Sequence, residues 1–323
     1  MTTWIHRHRA SLRLAATVLC AALASCGGGT SQIEPFQPRQ VILIGDETTG
    51  LAADGRRFGM NGLDASNVFD CRQLPLWSQS LTATFGIVMD RCTTGTTQPP
   101  QAVTRATPLA KAADLEAQIS AQIAAQAPTS KDLFVLMIGL HDVIELYETF
   151  AGPKTCDLDT RSNTPLEEAL AARGRLVAQQ INRLIAADAR IIVSTLPDLG
   201  LTPYARSRDL ASPGDAALLS CMTATFNARV RVDPVQDGRF WGLVLADDLV
   251  QAMTRNAPGY GLSNVTDAAC VATPADPTAC TTATLVSGAT TNSHLWADDR
   301  RLGPVAQTRL AELAISRARN NPF

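Results

Sequence analysis

An α/β sandwich built on a mainly parallel sheet is predicted by three features of the sequence. The first is a set of continuous apolar runs: QVILIG (40–45), DLFVLMIG (132–139), ARIIVSTLP (189–197) and the weaker FWGLVLAD (240–247). None alternates with polar residues, as expected of strands covered on both faces. The second is the presence of helical patterns between these runs. The third is their order, strand and helix in alternation with short links, which implies βαβ units with right-handed crossovers.

Each helix has its own signal. In LAKAADLEAQISAQIAAQA (109–127), Leu115, Ile119 and Ile123 recur every four residues along one face. TPLEEALAARGRLVAQQINRLIAADA (164–189) opens on Thr164, Pro165 and Glu167, a reasonable helix start. SPGDAALLSCMTATFNARVRV (212–232) and GPVAQTRLAELAISRARN (303–320) complete the set. The stretch 257–293, rich in Thr, Ala and Cys, is expected to be a long loop.

The totals narrow the functions. Hydrophobic residues make up 46% and charged residues 18%, which suits a well-buried core and excludes a disordered chain. A net charge of −2, with no basic run outside the extreme N-terminus, gives no support for nucleic-acid binding. The first residues read as an address. Arg7, Arg9 and Arg13 precede LRLAATVLCAALAS, an apolar run shorter than the ~20 residues that span a bilayer. LASC (23–26) resembles a bacterial lipobox with Cys26 as the lipid-carrying residue. GGGTSQ then reads as a flexible tether, and Gly27 resembles lipoproteins sorted to the outer membrane of a Gram-negative-type envelope. The expected organisation is a signal peptide over 1–25, a tether over 26–38 and one domain over 39–323. Without residues 1–25, 25 basic residues face 30 acidic ones, a net charge of −5.

Six cysteines remain for the domain: Cys71, Cys92, Cys156, Cys221, Cys270 and Cys280. An even number fits an oxidising compartment and allows 15 pairings. Sequence order favours Cys71–Cys92, Cys156–Cys221 and Cys270–Cys280. No C-x-x-C or histidine pair at ligand spacing accompanies them, so no zinc site and no cofactor is expected.

Seven stretches, in order, resemble the blocks of the SGNH/GDSL hydrolases and cover most of the mature chain: GDETTG (45–50), GRRFGMNG (55–62), IGLHDV (138–143), TLPDLGLTP (195–203), FNARV (226–230), YGLSNVTDAAC (260–270) and HLWADDRRLGPVAQ (294–307). The resemblance implies a flavodoxin-like, three-layer α/β/α sandwich. It also implies esterase or lipase chemistry, in which a serine attacks an acyl or acetyl ester, histidine takes its proton and aspartate orients the histidine. Carried over by position, the serine is Glu47, the asparagine of the oxyanion hole is His141 and the histidine is Arg301. The aspartate remains as Asp298, and the oxyanion glycine falls on Gly62.

These replacements change the chemistry. A carboxylate at 47 attacks an ester only to give an anhydride, and its charge opposes the developing oxyanion. Arg301 stays protonated and cannot act as a base. Together they suit a carboxylate–guanidinium pair, with Arg301 between Glu47 and Asp298 and His141 balancing the remaining charge. The expectation is a lipid-anchored pseudo-hydrolase that binds an acyl, acetylated-glycan or protein ligand, or serves structurally. The alternative is an active esterase with a rewired site, in which a Glu47–His141 dyad activates water. Thr48 and Thr49 are read as turn caps, and Asp46 and Asp142 as holding turn backbones. A metal held by Glu47, His141 and Asp298 is opposed by the adjacent arginine. His294 is read as a loop contact, and Trp77, Trp241 and Trp296 as packing.

Overall fold

The strands begin where apolar runs meet a charged or turn-forming residue, and their burial explains the sheet they form. The computed structural model describes residues 35–158, 164–271 and 276–323; the stretches expected to be signal peptide and tether, Cys26 among them, lie outside the described residues up to residue 34. The residues from Phe36 onward form one compact unit. β1 (Gln40–Gly45), β2 (Ala102–Thr104), β3 (Asp132–Met137), β4 (Arg190–Ser194) and β5 (Trp241–Val244) form a parallel sheet in the order β2-β1-β3-β4-β5. Every position of β1 and β3 is buried, which requires cover on both faces.

Eight α-helices among the described residues flank the sheet. α1 (Trp77–Thr84) packs on α8 (Pro304–Asn320), which also meets α7 (Ala246–Arg255), β4 and β5. A second group joins α2 (Leu115–Ala125), α3 (Leu140–Thr149), α4 (Pro165–Ala186) and α6 (Asp215–Val232), with α2 against β1 and α4 against β4. α5 (Pro203–Ala211) lies against α6. At the start of α4 the capping box forms: Thr164 Oγ1 accepts from the Glu167 N–H, and Glu167 accepts from the Thr164 N–H at 2.6 Å.

Several short elements add to those the sequence predicts. β2 is three residues long, and α1, α3, α5 and α7 run only eight to ten residues each. The stretch 257–293 is not loop throughout. It contains a 3₁₀ turn (Ala257–Tyr260) and β6 (Asn264–Ala268), which pairs in parallel with β7 (His294–Trp296) through a register shift. Such bulged pairing breaks the two-residue period on which strand recognition depends. The disulfides are Cys71–Cys92, Cys156–Cys221 and Cys270–Cys280. Trp77, Trp241 and Trp296 are buried, and each indole donates to a backbone carbonyl.

The chain leaves β1 on one side to form β2 and returns on the other to form β3. This order creates a crevice at the carboxyl ends of β1 and β3, where open α/β sheets place their ligands. Gly45 makes the first turn possible. Its φ is +113°, and a Cβ there would lie 2.1 Å from the Met137 carbonyl oxygen. Gln118 of α2 clamps the same residue, accepting from its N–H at 2.7 Å and donating to its carbonyl at 2.8 Å. Gly45→Ala is expected to destabilise the fold by about 3 kcal/mol or more, from backbone strain plus overpacking; chemical denaturation checks this.

Candidate functional site

Three adjacent strand ends build the floor of the crevice. β1 runs into Gly45–Asp46–Glu47, the loop after β2 brings Leu109, and β3 runs through Gly139 into α3, whose second residue is His141. The fourth contribution comes from far along the chain, where β7 leads into Asp298 and Arg301 just before α8.

Glu47 is the point of convergence. Its side chain is fully buried, with the two carboxylate oxygens 2.9 Å from His141 Nε2. Arg301 Nη2 donates to Oε1 at 2.5 Å, and the backbone N–H of Leu109 donates to Oε2 at 2.9 Å. Arg301 also reaches Asp298, Nη1 donating to Oδ2 at 2.9 Å, while the Arg301 N–H donates to Asp298 Oδ1 at 2.7 Å. One guanidinium thus bridges two carboxylates. Its Nε–H is buried without a partner among the described residues. Phe58 covers it, the ring centroid 5.9 Å from Cζ.

The electrostatics follow from this geometry. Burial alone pushes the Glu47 carboxyl upward, but the hydrogen bond from His141 and the charge of Arg301 outweigh it and hold the group well below the usual carboxylate range. Burial disfavours the Arg301 cation; Asp298 and Glu47 more than compensate and hold it charged. An ionised Glu47 has only lone pairs to offer, so His141 Nε2 must carry the shared hydrogen. Nδ1 then makes no hydrogen bond among the described residues, and His141 lines the cleft.

Asp46 occupies the opposite situation. It is fully buried, and its Oδ1 accepts from the Thr48 N–H at 2.9 Å and the Thr48 hydroxyl at 2.5 Å. Oδ2 has no partner among the described residues, and burial together with the charge of Glu47 pushes the carboxyl up to about 7. Asp142 does not hold its own turn. Its Oδ2 accepts from the Ala112 N–H at 2.8 Å, tying α3 to the segment before α2, and burial raises it to about 6.

The hydroxyls of the first turn are engaged elsewhere. Thr48 serves Asp46, and Thr49 Oγ1 donates to the Met137 carbonyl and accepts from the Met137 N–H. No described hydroxyl touches His141. His294 lies buried in β7 with Nδ1 2.7 Å from Ser293 Oγ, and burial lowers its pKa. Gly62 is not among the residues that line the cleft. Asn61 fastens its segment to the Thr278 and Cys280 carbonyls, and Gly62 packs against Gln73. This segment lends Phe58 to the cleft, and the backbone donor comes from Leu109. Leu109 has φ +63°, a strained value for a branched side chain. A backbone N–H has no side-chain signature, although the Thr-Pro turn before it marks a loop at the right strand end.

Above this floor opens a cleft of about 480 Å³, with Phe58, Pro108, Leu109, Val271 and Pro277 as apolar walls. Its cations are engaged: Arg301 as described, and Arg300 by a two-pronged contact with Asp299 at 2.8–3.2 Å. Glu47, His141 and Asp298 have metal-ligand chemistry, but Arg301 occupies the space between the two carboxylates. The described Cys156–Glu167–Cys221 group has its two sulfurs joined as a disulfide.

No family model and no curated protein matches the chain. Solved structures similar to it include the acetyl xylan esterase AlAXEase, at 13% identity and TM-score 0.44 over 86% of this chain and 98% of that one. An acetylxylan esterase from Geobacillus stearothermophilus is similar at 13% identity and TM-score 0.42, over 88% and 96%. An alpha/beta hydrolase from the metagenome of Lake Arreo, Spain, matches at 14% identity and TM-score 0.41, over 87% and 95%. Likeness at this level assigns no chemistry, which rests on the side chains described above.

Two predictions follow from the charges. Arg301→Leu strands a buried carboxylate and is expected to cost about 3–5 kcal/mol, whereas Glu47→Gln combined with Arg301→Leu recovers part of that loss; denaturant titrations of the three variants check it. Asp46 keeps its proton to about pH 7 when folded, against an ordinary value of 3.8. Its contribution is therefore fully present at pH below 3.8 and is lost as pH rises through 7. Asp46→Asn is expected to gain about 1–3 kcal/mol over the parent at pH 8, the gap closing toward pH 4; thermal melts across pH measure this.

Proposed function

We propose that this chain is a pseudo-hydrolase: an esterase-type α/β sandwich, lipid-anchored in the cell envelope through Cys26, that binds a ligand in its cleft without turning it over. The observation that carries this reading is the saturation of Glu47. Where a nucleophile would stand there is a buried carboxylate held by three donors, and one of these is the Leu109 N–H that faces the crevice from β2. A donor committed to a resident anion has no capacity left for a developing oxyanion. Arg301 supplies no base, and no described hydroxyl reaches His141. Candidate ligands are an acyl chain, an acetylated glycan or a protein segment, seated between the apolar walls and the charged floor.

A second reading has one observation in its favour. His141 Nδ1 is unpartnered and the residue lines the cleft, so a Glu47-oriented imidazole could take a proton from water. Against it, Arg301 neutralises the carboxylate that would support the imidazolium.

Purified full chain is expected to leave p-nitrophenyl acetate unhydrolysed and to resist fluorophosphonate labelling. Turnover lost on Glu47→Ala or His141→Ala would instead establish the second reading. The triple change Glu47→Ser, His141→Asn and Arg301→His is expected to gain ester hydrolysis. Glu47→Ser alone is not, because Arg301 remains protonated. Initial-rate assays of these variants separate the outcomes.

A further inference from the structure

The sequence contains no basic run beyond its first residues, yet the fold gathers scattered cations at one end. All five strands of the main sheet are parallel, so they begin together at the end opposite the cleft. Arg39 precedes β1, Lys131 precedes β3, Arg190 opens β4, and Arg239 lies two residues before β5. α8 finishes at the same end. Asn321 Nδ2 donates to the Trp241 carbonyl at 2.9 Å, which places Arg317 and Arg319 of the last helical turn beside the start of β5.

Three acids accompany these six cations. Asp132 pairs with Arg39 at 3.2 Å, Asp188 with Arg190 at 3.0 Å and Asp237 with Arg239 at 2.6 Å. Lys131, Arg317 and Arg319 are exposed and make no ion pair among the described residues. The Arg229–Asp233 pair beside Val232 adds no net charge, so these groups together give this end a net +3. Residues 36–323 hold 25 basic and 29 acidic residues, a net −4, so the rest of the body stands at −7. Exposed apolar surface lies here too. Val232 is 59% and Val235 54% exposed, and the Val235 carbonyl accepts from the Trp241 indole of β5.

The chain also enters the body at this end. Phe36 precedes β1 and lies 5.2 Å, ring to ring, from Phe323 beyond α8. Cys26 stands ten residues before Phe36, and ten residues reach at most about 35 Å. A 288-residue body has a radius of gyration of about 19 Å and is about 50 Å across. A tether of that length attached at the strand-start end cannot hold the body upright with its cleft end against the bilayer and its strand-start end about 50 Å above it.

We propose that the strand-start end is a docking face for an anionic phospholipid surface, with Lys131, Arg317 and Arg319 as its free cations and Val232 and Val235 as its apolar contacts, so that the cleft faces away from the membrane. The proposal rests on the lipid-anchor reading of Cys26 and is independent of whether the site hydrolyses anything. Basic groups held near an anionic leaflet are attracted to it and are screened by salt.

The test uses the full lipidated chain in phosphatidylcholine vesicles with or without phosphatidylglycerol. Arginines are modified with phenylglyoxal, lysines with acetic anhydride, and rates are read by mass spectrometry. Lys131, Arg317 and Arg319 are expected to react several-fold more slowly when phosphatidylglycerol is present. Arg206 and Arg208 should not change, because they lie on α5 at the cleft end, where the Tyr204 N–H donates to the Asp299 carbonyl. The slowing should vanish at high salt and in a Lys131→Glu, Arg317→Glu, Arg319→Glu variant. Equal rates in both vesicle types, slowing centred on Arg206 and Arg208, slowing that persists at high salt, or a chain recovered free of vesicles would each overturn the proposal. An ester-hydrolysis assay on the same samples reports separately on the pseudo-hydrolase reading.

Discussion

A guanidinium that never gives up its proton, placed against a carboxylate with no access to water, fixes the state of every other ionisable group in the crevice. Arg301 keeps Glu47 ionised despite its burial. The ionised Glu47 in turn requires a hydrogen on His141 Nε2. Burial, with the same negative charge added to it, pushes the neighbouring Asp46 carboxyl up to about 7. Asp298 completes the arrangement by taking the second edge of the guanidinium. Glu47, His141, Asp298 and Arg301, from three distant parts of the chain, thus share one hydrogen-bonded cluster, and removing Arg301 alone leaves a buried carboxylate uncompensated.

This pattern uses the features that make such a crevice reactive. The strand-end turn at Gly45 aims residue 47 into the site, and a strained Leu109 presents its N–H to whatever anion lies there. In a hydrolase the anion would appear transiently, at the transition state. In this chain the Leu109 N–H donates to the Glu47 side chain. The turns around it are held by side chains, with Gln118 clamping Gly45 and Asn227 holding the loop after β4 through both Leu196 backbone groups.

Much of the fold was legible because its strongest signals are local. β1 and β3 are buried at every position, so their sequences are unbroken apolar runs, and the α4 capping box is written in Thr164-Pro165-Leu166-Glu167. What stayed hidden depends on contacts between distant segments. β2 has only three residues, β6 and β7 pair with a slipped register, and α3 starts directly after the apolar run of β3, at a Gly139 of positive φ. At the site, the residues at 47, 141 and 301 can be read by position. The Leu109 donor cannot, because any residue has an N–H. The gathering of cations at the strand-start end was invisible for the same reason, since Arg39, Lys131, Arg190, Arg239 and Arg317 are neighbours only in the folded chain.

The most direct test of the central claim is the ionisation of Glu47 itself. Carbon-detected NMR with labelled glutamate follows the side-chain carboxyl through an acid titration. The account predicts that Glu47 remains ionised below the range where ordinary glutamates titrate, and that it takes up a proton only as the fold is lost. A Glu47 carboxyl titrating in or above the ordinary range, in a protein that stays folded, would contradict it, because the crevice would then contain a protonatable acid available for chemistry.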